Sequence, residues 1–180
     1  MNRCYRLAAA FLVLPALLLA SRSVLLAQVQ ISTISWQISR TEGKVSRPFE
    51  TITELKLEPY RKYLNKFRAV VTAQNPSLKP AEGLVIRCAL SLHLVKIASA
   101  DDPGFWAVPF RTEELRISRI KPGASYEAKL IHFTLNEQLN KLKNTGFWVD
   151  ALKLQVMLDP RPGDEPARIM KETVIGIKKP

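Results

Sequence analysis

The chain has 180 residues, with 27 Lys plus Arg against 16 Asp plus Glu, a formal net charge of +11, and 47% hydrophobic residues. That length suits one domain with a core of ordinary size. Of its two cysteines, Cys4 lies in the leader described next and leaves Cys88 alone, which excludes an intramolecular disulfide framework.

Residues 1–27 have the layout of a secretory signal peptide. Arg3 and Arg6 make a cationic start, residues 7–20 form an apolar run of 14, and SRSVLLA leads to a small residue at Ala27. Fourteen residues rise only about 21 Å as a helix, short of a hydrocarbon core of roughly 30 Å, so the run reads as a cleaved leader. Cleavage after Ala27 is preferred; the alternative after Ala20 leaves no polar spacer. Cys4 precedes the apolar run, which argues against a lipid-anchored form. Cleavage removes Arg3, Arg6 and Arg22 but no acid, leaving 24 basic and 16 acidic groups, +8 over 153 residues. The expectation is one domain over residues 28–180, exported to a bacterial periplasm or cell surface.

From there the apolar period is two. In ISTISWQIS, Ile34, Trp36 and Ile38 alternate with polar residues; ETITELKLE places Leu55 and Leu57 on one face. EPYRKYLNKF, with Pro59 at a helix-start position, predicts about two helical turns. KFRAVVTAQN sets Phe67, Ala69, Val71 and Ala73 on one face. LVIRCALSLHL sends Leu84, Ile86, Cys88, Leu90, Leu92 and Leu94 one way and Arg87, Ala89, Ser91 and His93 the other. Such alternation is that of half-buried antiparallel strands. The stretch between, rich in turn residues with Pro76 and Pro80, is expected to join two antiparallel strands by eight to ten residues.

Further strands are predicted over 105–110, 113–120, 125–135, 147–159 and 168–178. The phase stumbles near Asp150 and Ala151, where a bulge is expected. LNEQLNKLKN sets Leu135, Leu139 and Leu142 at helical spacing, with Gly146 as a stop. Proline and glycine turns separate the runs. The predicted class is all-β: an immunoglobulin-like antiparallel β-sandwich of about 7–8 strands with one or two short helical insertions.

The phrases VVTAQNPSLKPAEGLVIRCALSL, LRISRIKPGASYEAKLIHFTL and FWVDALKLQVMLDP follow one another as in the CARDB family, and the chain from 66 to 178 resembles these immunoglobulin-like, fibronectin-III-like domains of bacterial exported proteins. The resemblance implies a sandwich with binding or adhesion roles. RPGDEPARIMKE departs from the acidic, Asn-rich ending usual in that family.

Catalytic residue types are sparse. His93 and His132 have no Asp, Cys or Glu beside them at a metal-ligand spacing, and HExxH, CxxC and GxSxG are absent. Cys88, in phase with core leucines, is expected to be a buried, inert thiol. Asp159, Asp164 and Glu165 lack the dense spacing of a calcium loop. No catalytic residue, metal site or cofactor is assigned.

Two phrases echo each other, PGFWAV at 103–108 and TGFWVD at 145–150. One member of each Phe-Trp pair should face the core and the other lie exposed or under a loop. Trp106 and Trp148 are the candidates for an exposed platform that stacks a glycan or meets a partner. Basic residues cluster at Arg61, Lys62, Lys66 and Arg68; at Arg111, Arg116, Arg119 and Lys121; and at Lys141 and Lys143. They either solubilise strand faces or attract anionic glycans and lipid headgroups. Export and the lack of a recognition motif argue against nucleic acid. The expected function is a non-enzymatic module that binds an envelope protein or an anionic envelope polymer. A periplasmic chaperone or assembly factor for pilin-like or outer-membrane clients is the alternative, ahead of a small glycan-active enzyme.

Overall fold

The computed structural model describes residues 29–57, 65–97 and 102–178. In chain order the strands are β1 (Gln30–Ser39), β2 (Thr41–Glu42), β3 (Val45–Ser46), β4 (Glu50–Ile52), β5 (Glu54–Lys56), β6 (Lys66–Gln74) and β7 (Ala81–Lys96). Then come β8 (Phe105–Trp106), β9 (Arg111–Ile120), β10 (Ser125–Thr134), helix α1 (Asn136–Lys141), β11 (Phe147–Leu158), helix α2 (Pro166–Ile169) and β12 (Met170–Lys178). Only seven of these strands reach nine residues, and these carry the fold.

The elements build an all-β sandwich. The smaller sheet has four strands in the order β10-β6-β1-β4; the larger has six, β5-β12-β11-β7, with β8 and β9 sharing the far edge of β7. Pairing is antiparallel except where β5 joins β12. The alternation in the sequence explains the interior. Phe67, Ala69, Val71 and Ala73 of β6 are buried opposite Ile86, Cys88, Leu90 and Leu92 of β7 and Leu152, Leu154, Val156 and Leu158 of β11. Each large aliphatic side chain buried this way contributes about 1.5–3 kcal/mol of transfer free energy. Leu135 is buried, and Leu139 and Leu142 of the α1 region pack against the same core.

Three junctions differ from simple hairpins. ETITELKLE bends at Thr53, so β4 pairs with β1 in one sheet while β5 pairs with β12 in the other. Leu55 and Leu57 then both turn into the core. β6 and β7 are not paired with each other: residues 75–80 carry the chain from the smaller sheet to the larger. Asn75 makes this crossing. Its side chain is wholly buried; Nδ2 donates to the carbonyls of Lys79 (2.8 Å), Ile120 (3.1 Å) and Lys121 (3.3 Å), and Oδ1 accepts from Ser77 N and Ser77 Oγ. One amide therefore ties the β6–β7 crossing to the β9–β10 turn at Lys121–Gly123.

The third junction is inside β10. Its register against β6 shifts between Leu130 and Phe133, and Ile131 takes φ +55°, an unusual value for a β-branched residue. Two things hold it there: the side chain is fully buried, and Glu113 Oε2 of β9 accepts the Ile131 N–H at 2.9 Å. Of the sequence expectations, EPYRKYLNKF lies mostly outside the described residues, and its last two residues open β6 instead of ending a helix. The predicted strand at 105–110 shrinks to Phe105–Trp106, because residues 107–110, which include Pro109, follow β7 only through Ala107 N to Leu92 O and Phe110 N to Leu90 O. Among the described residues no helix is long and apolar enough to cross a membrane.

Candidate functional site

The outer face of the larger sheet departs from the polar surface that alternation leads one to expect. Cross-strand registers set its side chains in rows. One row runs Met170, Met157, Arg87, Glu114; the next Glu172, Gln155, Ala89, Thr112; another Val174, Lys153, Ser91; the last Gly176, Ala151, His93, Trp106. The first two rows frame an open depression of about 590 Å³, deepened by the small side chain of Ala89 and flanked by Met157 and Met170. Met170 is 53% exposed. Methionines on an open surface give an adaptable apolar contact area.

Part of the charge beside the depression is matched in place. Arg87 meets Glu114 at 3.3 Å and Asp159 at 2.8 Å, and Arg116 meets the other oxygen of Glu114 at 3.3 Å. Hydrogen bonds from Arg87 and Arg116 hold the Glu114 carboxyl below its ordinary pKa. The rim is thus a ladder of alternating sign.

At the other end of the face stands Trp106. Its placement starts from Asp102, whose carboxylate accepts Gly104 N–H at 3.1 Å and Lys96 N–H at 3.2 Å, which lowers the Asp102 pKa. Gly104 has φ +69°, and a Cβ there would lie 2.6 Å from the Leu94 carbonyl oxygen and 2.7 Å from His93 Cε1. Only glycine allows the chain to come this close to β7. β8 then pairs Phe105 with Leu94 and Trp106 with His93. The Trp106 ring is 4.8 Å from the His93 ring, and Lys153 Nζ is 4.4 Å from the Trp106 centroid, a cation–π distance.

His93 Nδ1 is 2.6 Å from Asp150 Oδ1. The two residues are 57 positions apart, so no local spacing could reveal the contact. The readable sign was the phase stumble: the β7–β11 register shifts between Val149 and Ala151, and the bulge turns Asp150 toward His93.

The other candidates are spread over the molecule. Trp148, opposite Val95, is half-buried and packs against the core. Both members of the Phe105–Trp106 pair are exposed, 50% and 38%, because β8 lies at the sheet edge, where alternation does not bury either face. The two echoing phrases do meet, through Phe105 and Phe147, whose rings stand edge to face at 5.6 Å. Arg111, Arg116 and Arg119 are exposed along β9 and Lys121 in the following turn; Arg119 is 3.6 Å from Glu82. Lys141 pairs with Glu137 at 2.8 Å, which lowers the Glu137 pKa. Arg68 lies 3.8 Å from the Phe49 ring centroid and donates to Gln37 Oε1; Arg61 and Lys62 lie outside the described residues.

Cys88 is buried among the core aliphatics, and desolvation pushes its thiol pKa up to about 11. The three acids near the end of β11 are separately engaged: Asp159 with Arg87, Asp164 with Arg161 N, Glu165 with Arg168. Among the described residues no group of three or more His, Cys, Asp or Glu could hold a metal ion.

No protein-family model matches the chain, and no curated sequence matches it. The fold is an all-β sandwich. Everything more specific rests on the residues themselves.

Proposed function

We propose that the protein is an exported, non-enzymatic binding module of a bacterial periplasm or cell surface, and that it engages its partner through the outer face of the larger sheet. The observation that carries this reading is the exposure of Trp106, Met170 and Val174, with half-buried Met157 among them, along one solvent-facing sheet surface. Apolar area of this kind, rimmed by matched charges, marks an interaction surface on a sandwich. The leader-like residues 1–27 support export, and the likeness of the turn phrases to CARDB domains supports a binding role.

The charge ladder bears on the choice of partner. Glu114, Glu82 and Asp159 stand against Arg87, Arg116 and Arg119, so that stripe offers little net field to a polyanion. Recognition by the depression is therefore of an apolar surface on an envelope protein. A chaperone or assembly role is the second reading; it is favoured by the depression itself, whose volume suits one or two apolar side chains of a client.

The test is affinity capture from an envelope extract with the exported protein, a doubly substituted Trp106→Ala/Met157→Glu form, and a Lys129→Ala control on the smaller sheet. Capture that is retained by the control and lost by the double variant, at low and raised salt alike, is the expected result. Equal capture by all three would overturn the assignment of the face.

A further inference from the structure

The β8 end of the outer face differs chemically from the depression beside it. Arg87, Arg116 and Arg119 all stand against carboxylates, whereas Lys153 has none within ion-pair distance among the described residues. Its strand neighbours on this face are Ser91 and Val174. Its ammonium instead lies over an indole that is 38% exposed, and beside that indole the His93 imidazole is already oriented by Asp150. An aromatic surface, an uncompensated cation and two planar polar groups thus converge within one row of the sheet and the next.

The geometry points to an anionic-sugar subsite here: Trp106 is the stacking platform, Lys153 the counter-charge for a carboxylate, and the His93–Asp150 pair the ligand of ring hydroxyls. The C–H face of a pyranose is electropositive and complements the negative face of an indole. Lys153 Nζ lies over the Trp106 ring at 4.4 Å, so a sugar that takes the stacking position displaces the ammonium to the ring's edge, where a uronic-acid carboxylate forms a charge-assisted hydrogen bond with it. Asp150 fixes His93 through Nδ1 and leaves Nε2 for a hydroxyl. A peptide is the poorer occupant. At His93 the backbone of β7 is paired on both sides, with β8 and β11, so a peptide can add a strand here only along β8, which has two residues.

The inference rests on the outer face being the binding face, and its test separates the two. Trigalacturonate and its methyl ester are titrated into the exported protein while the Trp106 indole N–H resonance, assigned with Trp106→Phe, is followed by NMR. The acid is expected to bind about tenfold more tightly than the ester at low salt. Lys153→Met should bring the two affinities together, and Trp106→Ala should remove binding of both; thermal unfolding verifies that each variant is folded. Three results overturn the subsite: no response to either sugar, equal affinity of the wild type for acid and ester, or a preference that survives Lys153→Met. If the sugars fail but envelope capture still depends on Trp106, the outer face binds a protein and only the sugar assignment falls. If capture is also unaffected by the Trp106→Ala/Met157→Glu pair, both readings fall.

Discussion

Two connections in this molecule use the same local chemistry for opposite ends. Asn75-Pro76 and Asp102-Pro103 each put an Asx side chain before a proline and bond it to backbone groups a few residues away. Asn75 faces inward and is fully buried, with the β6–β7 crossing and the β9–β10 turn fastened to one amide. Asp102 lies at the surface, and what it fastens is an edge segment that displays Phe105 and Trp106 to solvent. Turn chemistry fixes the path of the backbone; the side chains on that path decide whether the result is architecture or display.

Substitution separates the two. Asn75→Ala leaves the Lys79, Ile120 and Lys121 carbonyls without their shared donor, and a loss of about 2–4 kcal/mol in global stability is expected from urea unfolding. A loss below about 0.5 kcal/mol, the range of an ordinary surface change, would remove the distinction. Gly104→Ala forces a Cβ against the Leu94 carbonyl at positive φ. Its cost, about 1–3 kcal/mol, should be local: faster amide exchange at Phe105 and Trp106 and altered Trp106 emission, with most of the β7–β11 pairing intact.

Glu113 belongs on the architectural side. Glu113→Ala strips the acceptor from the Ile131 N–H, and about 1–3 kcal/mol should disappear, whereas Glu113→Gln keeps an acceptor oxygen and should retain most of it. The smallest effect is on pH. Asp102 has a folded pKa below its ordinary 3.8, so its contribution is fully present above that value and fades as the pH falls through the lower, folded one. Asp102→Asn should remove that small contribution at neutral pH and flatten the acid limb of the stability profile below about pH 4, so that variant and wild type converge in acid. An unchanged acid limb would show that the carboxylate does not hold β8.

The strands that form the core were readable because alternation records a one-sided burial. Leu84 to Leu94 gave the inner face of β7, including Cys88, and the stumble at Asp150 gave the bulge. The rest needed long-range information. That β6 and β7 lie in different sheets, that β4 and β5 part company at Thr53, and that His93 meets Asp150 all depend on pairings between distant segments. Arg119 looks like a free cation in one dimension, and Glu82 meets it only once β7 and β9 are paired, whereas Glu114 lies two residues from Arg116 on the same strand face.

The central claim, that binding belongs to the outer face of the larger sheet, is tested most directly by hydroxyl-radical footprinting of the protein alone and with a partner captured from an envelope extract. Oxidation of Trp106, Met157 and Met170 should fall several-fold on capture, while Leu78 and Tyr126, exposed elsewhere, should react as in the free protein. Unchanged oxidation at those three residues, with protection at Leu78 or Tyr126 instead, would contradict it.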